Sequence, residues 1–219
     1  MELLNERQRF PFGLVCAVTI IISLGSFAAM HAANPGRSTV NKFYWYMARS
    51  SGFTSYWLLS LAVLLGVSTT SALWDKWKLR KLMTQMHQYA ALLVLPFLFF
   101  HLWGLYQDTS VPFGVPELLI AFTAKYRPVY TGFGVLTLYG WGLLVVTSYI
   151  REKMPVKMWR TIHYSSFPMF ILVTLHGLLT GTDSHRVWAV AVYLIPSMLF
   201  IVLVVKRLWP RSGLKVGQK

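Results

Sequence analysis

The sequence HQYAALLVLPFLFFH, residues 87–101, begins and ends with a histidine and is otherwise almost entirely apolar. A second stretch, HYSSFPMFILVTLH at residues 163–176, has the same design, with 12 residues between its histidines where the first has 13. Neither stretch contains Asp, Glu, Lys or Arg. Neutral imidazole is a common metal ligand, and ionisable groups inside a membrane usually serve a function. The two stretches therefore predict a pair of membrane helices that carry metal-ligating histidines.

The composition supports a membrane location for these helices. Hydrophobic residues make up 55% of the 219 residues, charged residues only 13%, and the mean hydropathy is +0.50. Soluble domains carry roughly 25% charged residues. A helix needs about 20 mostly apolar residues to cross a bilayer. We predict a single all-α domain over 1–219, an integral membrane six-helix bundle with spans at 12–33, 51–73, 84–106, 129–150, 161–180 and 187–205.

The basic residues are divided unequally between the two ends of this predicted bundle. Of the 21 Lys and Arg residues, 15 fall at the end that includes both termini, and the other end holds Arg37, Lys42, Arg49, Lys125, Arg127 and Arg186. Because cytoplasmic loops retain Lys and Arg, both termini are predicted to be cytoplasmic. The net charge of +14 then reflects topology and contact with anionic membrane lipids, and it gives no support to nucleic-acid binding.

The N-terminal segment has a second interpretation. Arg7 and Arg9, the apolar run that follows, and the Ala-rich residues 28–33 are also typical of a cleavable secretory signal. The apolar run over 12–29 is longer than the usual signal core of about 7–15 residues, which favours an uncleaved first helix. A mature start near Asn34 would leave five spans and the same histidines.

The remaining composition limits the cofactors that the chain can bind. The single cysteine, Cys16, excludes an intramolecular disulfide, a thiolate-held iron–sulfur cluster and a Cys-rich zinc site. The sequence has no GxGxxG segment, no Walker loop and no GxSxG motif. FAD and NAD(P)H are therefore expected only on a partner protein.

The spacing of the histidines agrees with the predicted topology. At 1.5 Å per residue, His87 and His101 lie about 21 Å apart along their helix, and His163 and His176 about 20 Å. The third and fifth spans run parallel, which puts His87 level with His163 and His101 level with His176. His87 and His101 share a helix face within about 40°, but His163 and His176 differ by about 140°, so we expect Pro168 to bend or rewind the fifth span.

Two facing imidazoles can hold a porphyrin iron from both sides, so the histidines predict two haem levels between the third and fifth spans. The alternative is that they are core histidines bonded to Ser, Thr or backbone groups. A divalent-cation transporter is a weaker alternative, because it would add carboxylates or thiols among the ligands.

Several motifs resemble a known family, the ferric-reductase-like transmembrane domain of NADPH oxidases, yeast-type ferric reductases and the membrane subunit of the periplasmic methionine-sulfoxide reductase system. The resemblance covers roughly 45–205. It lies in Tyr46-Met47-Ala48-Arg49-Ser50-Ser51-Gly52, in the His87/His101 pair, and in Trp159-Arg160-Thr161-Ile162-His163 running to Leu175-His176-Gly177.

The resemblance implies an inner b-type haem on His87 and His163 and an outer one on His101 and His176. It also implies outward electron flow from a cytoplasmic flavin. The reductases and oxidases carry a C-terminal FAD and NADPH domain, whereas this chain stops at Lys219. The methionine-sulfoxide reductase subunit is therefore the nearer analogue in size, although its substrate does not transfer.

Charged residues near the two levels have candidate roles. Arg49 begins the second predicted span near the outer haem and either pairs a propionate or acts as an interfacial anchor. Asp108, Asp183 and His185 in the outer loops either bind ferric iron or simply meet water. The inner loops carry a basic group that could dock an acidic flavoprotein: Lys76, Lys78, Arg80, Arg151, Lys153 and Arg160.

Two further apolar features are the long outer segment and the aromatic side chains near the histidines. The apolar residues 115–122 in the long outer segment are expected to form a short surface helix. Aromatic side chains flank the histidines and either enclose a porphyrin or pack and face lipid: Phe97, Phe99, Phe100, Trp103, Tyr106, Phe167 and Phe170.

Taken together, the sequence predicts transmembrane electron transfer through two haem b groups, with no catalytic side chain of its own. The donor is expected to be a cytoplasmic flavoprotein or another reductant. The acceptor lies outside and is a ferric chelate, oxygen or a periplasmic reductase, with ferric-chelate reduction preferred. The alternative is a non-catalytic, haem-containing membrane anchor. A prokaryotic plasma membrane is the expected location.

Overall fold

The computed structural model of the protein describes residues 39–71, 73–181 and 184–209, together with Ala17 and Ile21. Within these ranges the chain forms helices and connecting turns and contains no strand. A short 3₁₀ helix, Arg151–Lys153, joins two of the helices. We number the α-helices α1 (Thr39–Thr70), α2 (Arg80–Gln107), α3 (Val115–Leu119), α4 (Pro128–Tyr149), α5 (Val156–Tyr164), α6 (Ser166–Thr180) and α7 (Val187–Leu208).

Most of the predicted first span at 12–33, and Asp183 in the loop after α6, lie outside the described residues. The six-helix count and the location of the termini therefore stay predictions. Five described stretches are long and apolar enough to cross a membrane: Lys42–Thr70, Arg80–Gln107, Pro128–Tyr149, Val156–Thr180 and Val187–Leu208. Many large apolar side chains on their outer faces are exposed, as expected of surfaces that meet lipid. The all-α fold and these five predicted spans are confirmed.

The second predicted span begins earlier than expected. The sequence predicts 51–73, but α1 starts at Thr39 and the apolar stretch at Lys42. No proline or glycine lies between Thr39 and Gly52, and the aromatic run 43–46 continues the apolar pattern. Tryptophan and tyrosine favour membrane interfaces, so this run extends the helix outward. Arg49 consequently lies within the helix and not at its beginning.

The fifth predicted span is broken, as its histidine spacing required, but the break precedes Pro168. Helix α5 ends at Tyr164 and α6 begins at Ser166. Proline has no N–H for the carbonyl four residues earlier, which here is that of Tyr164. Ser165 tightens the chain at this point, because its N–H donates to the Ile162 carbonyl at 3.0 Å, three residues back. Pro96 and Pro196, in contrast, lie inside the uninterrupted helices α2 and α7.

Helix α1 is the centre of the described bundle. It packs along α2 on one side and contacts α6 and α7 on the other, while α4 packs against α6. The Tyr56 hydroxyl donates to the Tyr193 carbonyl at 3.2 Å and lies 3.2 Å from the Thr174 hydroxyl oxygen. These contacts sit in the buried cluster that joins α1, α6 and α7, formed by Tyr56, Val67, Phe170, Tyr193 and Phe200.

The outer segment between α2 and α4 folds back over the bundle. Its short helix α3 covers Val115–Leu119, within the predicted 115–122. The Glu117 carboxylate accepts from the Gly114 N–H at 2.8 Å and from the Lys125 N–H at 3.3 Å, which closes the segment on itself. The Gly114 contact holds the pKa of the Glu117 carboxyl below its ordinary value, because a backbone N–H stabilises the charged form.

Candidate functional site

The four histidines meet as two pairs. The imidazole ring centroids of His87 and His163 lie 6.0 Å apart, and those of His101 and His176 lie 6.5 Å apart. The ring planes in each pair are steeply inclined, at 67° and 85°. The break at Ser165 brings His163 and His176 to the same partner helix in spite of their 140° separation on a straight helix. His87 therefore pairs with His163 and His101 with His176, as predicted from the helical rise.

The separation within each pair suits one metal ion. Two nitrogen–metal bonds of about 2.0 Å, with about 1.2 Å from each nitrogen to its ring centre, put the centroids about 6.4 Å apart. Among the described residues no three His, Cys, Asp or Glu side chains lie together as a metal site. A metal held by one of these histidine pairs needs its other ligands from elsewhere, and a porphyrin supplies four nitrogens.

Three of the four imidazoles are oriented by backbone carbonyls. Nδ1 of His87 lies 2.6 Å from the Ala62 carbonyl, and Nδ1 of His101 lies 2.6 Å from the Ala48 carbonyl. Nδ1 of His176 lies 2.9 Å from the Tyr130 carbonyl. A carbonyl can only accept, so each Nδ1 is the protonated donor and Nε2 keeps its lone pair. This is the tautomer of a metal-ligating histidine with a fixed ring.

A glycine provides the space for each of these contacts. Gly52, Gly66 and Gly134 each lie four residues after the accepting carbonyl, one helical turn along. A Cβ built at Gly52 would lie 2.8 Å from Nδ1 of His101, and one at Gly134 would lie 2.6 Å from Cε1 of His176. At Gly66 the nearest His87 atom would be 3.2 Å away. The absence of a side chain therefore lets each imidazole rest against the neighbouring helix.

The spacing of the glycines matches the spacing of the histidines. Gly52 and Gly66 are 14 positions apart on α1, as are His87 and His101 on the antiparallel α2. The sequence interpretation attributed the small residues of this span to close helix packing alone, and it missed their relation to the histidines. The equal interval was the available signal.

His163 is the exception among the four. Its Nδ1 is buried and has no hydrogen-bond partner, and the same is true of Nε1 of Trp159. Trp159 stacks on His163, with ring centroids 5.0 Å apart and planes inclined by 25°. The guanidinium of Arg151 lies 5.3 Å from the Trp159 ring centroid. The inner pair is thus supported differently from the outer pair.

A cavity of about 230 Å³ opens beside the outer pair. His101 and His176 line it from opposite sides, and Arg49 lies at its wall. The Arg49 guanidinium lies 4.2 Å from the Trp45 ring centroid, which holds the charge close to the cavity. A half-buried cation beside an apolar cavity is well placed for a carboxylate such as a haem propionate.

The flanking aromatics do not line this cavity. Phe99, Trp103 and Tyr106 are exposed on the outside of α2, and Phe170 packs in the core against Phe200. The structure favours the packing and lipid-facing interpretation for the predicted group. The aromatic rings at the cavity are instead those of Trp45, Phe53, Tyr56, Phe113, Tyr126, Trp141 and Tyr193.

Polar residues of the outer loops make hydrogen bonds to the backbone. Asp108 is buried, and its carboxylate accepts from the Ser110 N–H at 3.1 Å and from the Val111 N–H at 3.4 Å. His185 is exposed at the turn before α7. Tyr126 donates to the Thr180 carbonyl at 3.2 Å, joining the segment before α4 to the end of α6. These contacts close the outer end of the bundle.

The apolar spanning helices and the two histidine pairs define a class of polytopic membrane proteins with paired histidines between their helices. The family described as "Ferric reductase like transmembrane component" matches residues 51–174, more than half of the chain, and the chain belongs to this family. The expected resemblance is thereby confirmed. No curated protein and no solved structure matches the chain. The protein is an integral, multi-pass membrane protein of an oxidoreductase-associated family.

Proposed function

We propose that this protein carries single electrons across the membrane through two bis-histidine haem b groups. His87 and His163 ligate the inner haem, and His101 and His176 ligate the outer haem. The observation that carries the proposal is the geometry of the imidazoles: two pairs at 6.0 and 6.5 Å, three of the four rings fixed by a carbonyl. Core histidines would not need paired rings at this separation.

Each haem supplies a one-electron Fe(III)/Fe(II) couple when bound. The residues of the chain fix the ligands, exclude water and balance charge. The Nδ1–H bonds keep Nε2 available and raise its basicity. Arg49 pairs a propionate of the outer haem, since its guanidinium borders the cavity between the outer ligands. Preorganised ligands suit electron transfer, because they move little when the iron changes charge.

We place the electron donor on the cytoplasmic side. A separate flavoprotein that holds FAD and NAD(P)H, or another reductant, reduces the inner haem. The predicted basic group supports docking of an acidic partner: of its members, Lys76, Lys78, Arg80, Lys153 and Arg160 are exposed, and Arg151 is partly buried. Reversing Lys76, Lys78 and Lys153 to Glu should slow inner-haem reduction by the cognate donor. Reversal of the exposed Arg186 at the other end is the matched control.

We place the acceptor outside the membrane and prefer a ferric chelate, ahead of oxygen or a periplasmic reductase. The family supports this order. Among the described residues, no cluster of three His, Cys, Asp or Glu side chains would itself hold ferric iron. We further place the protein in a prokaryotic plasma membrane.

The test is electron transfer in proteoliposomes that contain trapped ferric citrate. A flavin reductase with NADH outside should reduce both haems, and the trapped iron should reoxidise them. The variant His101→Ala should keep inner-haem reduction and lose reoxidation by trapped iron. Haems that respond to neither reagent would support the second candidate function, a haem-containing anchor whose partner does the chemistry.

A further inference from the structure

The inner pair contains one histidine that no carbonyl orients. His87, His101 and His176 each donate Nδ1–H to a backbone oxygen, whereas Nδ1 of His163 is buried without a partner. A histidine that ligates iron through Nε2 carries its proton on Nδ1, so this donor is unsatisfied. Something other than a hydrogen bond must fix the plane of the His163 ring.

The neighbouring helix does not supply a carbonyl at this level. Gly134 lies against His176 and Gly140 against Met169, so α4 runs antiparallel to α6 and Thr147 falls at the level of His163. Thr147 is buried, and its hydroxyl donates to the Leu143 carbonyl at 2.7 Å. His176 faces Gly134 and donates to the Tyr130 carbonyl of α4. At the level of His163, the Leu143 carbonyl of α4 already accepts from the Thr147 hydroxyl.

Trp159 is the residue that contacts the His163 ring. The two residues are four apart on α5, so they share a helix face, and their rings stack at 5.0 Å and 25°. Nε1 of Trp159 is also buried without a partner, so no hydrogen bond ties the indole elsewhere. Arg151 lies 5.3 Å from the indole centroid and makes a cation–π contact with it.

We propose that Trp159 is a positioning residue for His163, fixing by ring stacking the imidazole plane that a carbonyl fixes at the other three ligands. The proposal rests on the proposed function. Aromatic rings prefer offset-stacked arrangements, so the contact favours one orientation of the imidazole ring. It does not polarise the Nδ1–H bond, so His163 donates less charge to iron than its three counterparts. On this account the ligands of the inner haem favour Fe(III) less strongly than those of the outer haem.

The experiment compares Trp159→Leu with Trp159→Phe in the full-length purified protein. Low-temperature electron paramagnetic resonance reports the relative orientation of the axial imidazoles, and a redox titration reports the midpoint potential of each haem. Trp159→Leu should shift the inner-haem g values, because the His163 ring plane is no longer fixed. A ring that is not held in one plane is a weaker ligand for Fe(III), so the inner midpoint should rise, by up to tenfold in the reduction equilibrium or about 59 mV. Trp159→Phe keeps a stacking ring and should retain the wild-type values. The outer haem should not change in either variant.

Trp103 provides a matched control, because it forms the same four-residue stack with Phe99, at 6.3 Å and 13°, and neither ring is a ligand. Trp103→Leu should leave both haem signals unchanged. If Trp159→Leu does not accumulate, Arg151→Lys keeps the positive charge but loses the planar guanidinium beside the indole, and it should shift the inner-haem g values in the same direction by less. An inner-haem signal in Trp159→Leu equal to that of Trp103→Leu would overturn the inference alone. Wild-type protein without haem would instead overturn the proposed function.

Discussion

The outer and inner histidine pairs have nearly the same ring separation but different supports. At the outer pair, both imidazoles donate to carbonyls, and glycines face both rings. At the inner pair, His87 has this arrangement with a looser glycine contact, and His163 has the Trp159 stack instead. A cavity with Arg49 at its wall adjoins the outer pair.

Under the proposed function, this difference would let one helical bundle hold two similar cofactors in distinct states. Ligand spacing would set where each haem sits, and this spacing is nearly the same at both levels. Hydrogen bonds to the ligands and nearby charges set how easily each iron is reduced, and these differ. We therefore expect two haems with separate spectra and separate midpoint potentials.

The largest effect should come from removing a ligand. His101→Ala should abolish the outer haem and leave the inner one, and His87→Ala should do the reverse, because each level has a single pair of histidines. The haem content of each variant should fall from two per chain to one. Optical and paramagnetic resonance spectra of the two variants should then show complementary signals. Loss of the same signal in both would mean that the levels are not independent.

The next effect should come from filling the space beside a ligand. Gly134→Ala puts a methyl group about 2.6 Å from the His176 ring, a clash of the kind that costs roughly 1–3 kcal/mol, so outer-haem occupancy should fall. Gly66→Ala, at 3.2 Å from His87, should disturb the inner haem less. Haem-to-protein ratios and spectra of the purified variants measure both effects.

Gly142→Ala is the control on the same helix, because nothing lies within 4 Å of its Cβ position. It should keep both haems and stabilise the helix by up to about 1 kcal/mol. If Gly134→Ala bound haem as well as Gly142→Ala, the proposed fit of glycine to imidazole would be wrong.

The fold could be predicted from the sequence where a single physical rule dominates. Five spans and the histidine levels follow from apolar length and helical rise. The start of α1 was missed, because the aromatic run 43–46 is compatible with an interfacial loop as well as with helix. The break at Ser165 was expected near Pro168, since the sequence shows the proline but not the carbonyl that it frees one turn earlier.

The candidate site was less predictable than the fold. The histidines stand out because they are polar in apolar segments. Their supports do not, because a backbone carbonyl has no sequence signature and a glycine has many uses. The four-residue spacing of Trp159 and His163 allows their rings to stack, but it does not show that both ring nitrogens lack a hydrogen-bond partner, because that depends on the packing of other helices.

A smaller effect should come from the charge near the outer level. Arg49→Leu removes a cation at the wall of the outer cavity, so Fe(II) is stabilised less and the outer midpoint should fall. The shift should be modest, because Arg49 is only half-buried and water screens its charge. The inner midpoint should not move, and Arg49→Lys should recover part of the change. A redox titration that shows equal shifts at both levels would contradict this assignment.

The smallest effect should be an acid sensitivity confined to the outer segment. The pKa of the Glu117 carboxyl is lowered by the Gly114 N–H, so the ionised group stabilises the segment above its ordinary pKa. This stabilisation should be lost as the pH falls through the lowered pKa. Hydrogen-exchange protection around 114–125 should therefore decrease on acidification. Glu117→Gln should show weaker protection without that pH dependence, and an identical profile in both proteins would refute the role of the carboxylate.

The central claim is that each described histidine pair holds one haem b. The most direct test is a reduced-minus-oxidised optical spectrum of the purified wild-type protein, combined with a pyridine haemochrome determination of haem per chain. The account predicts two low-spin b haems per chain with resolvable spectra. Protein that is folded, retains its helical content and contains no haem after expression with adequate haem supply would contradict it.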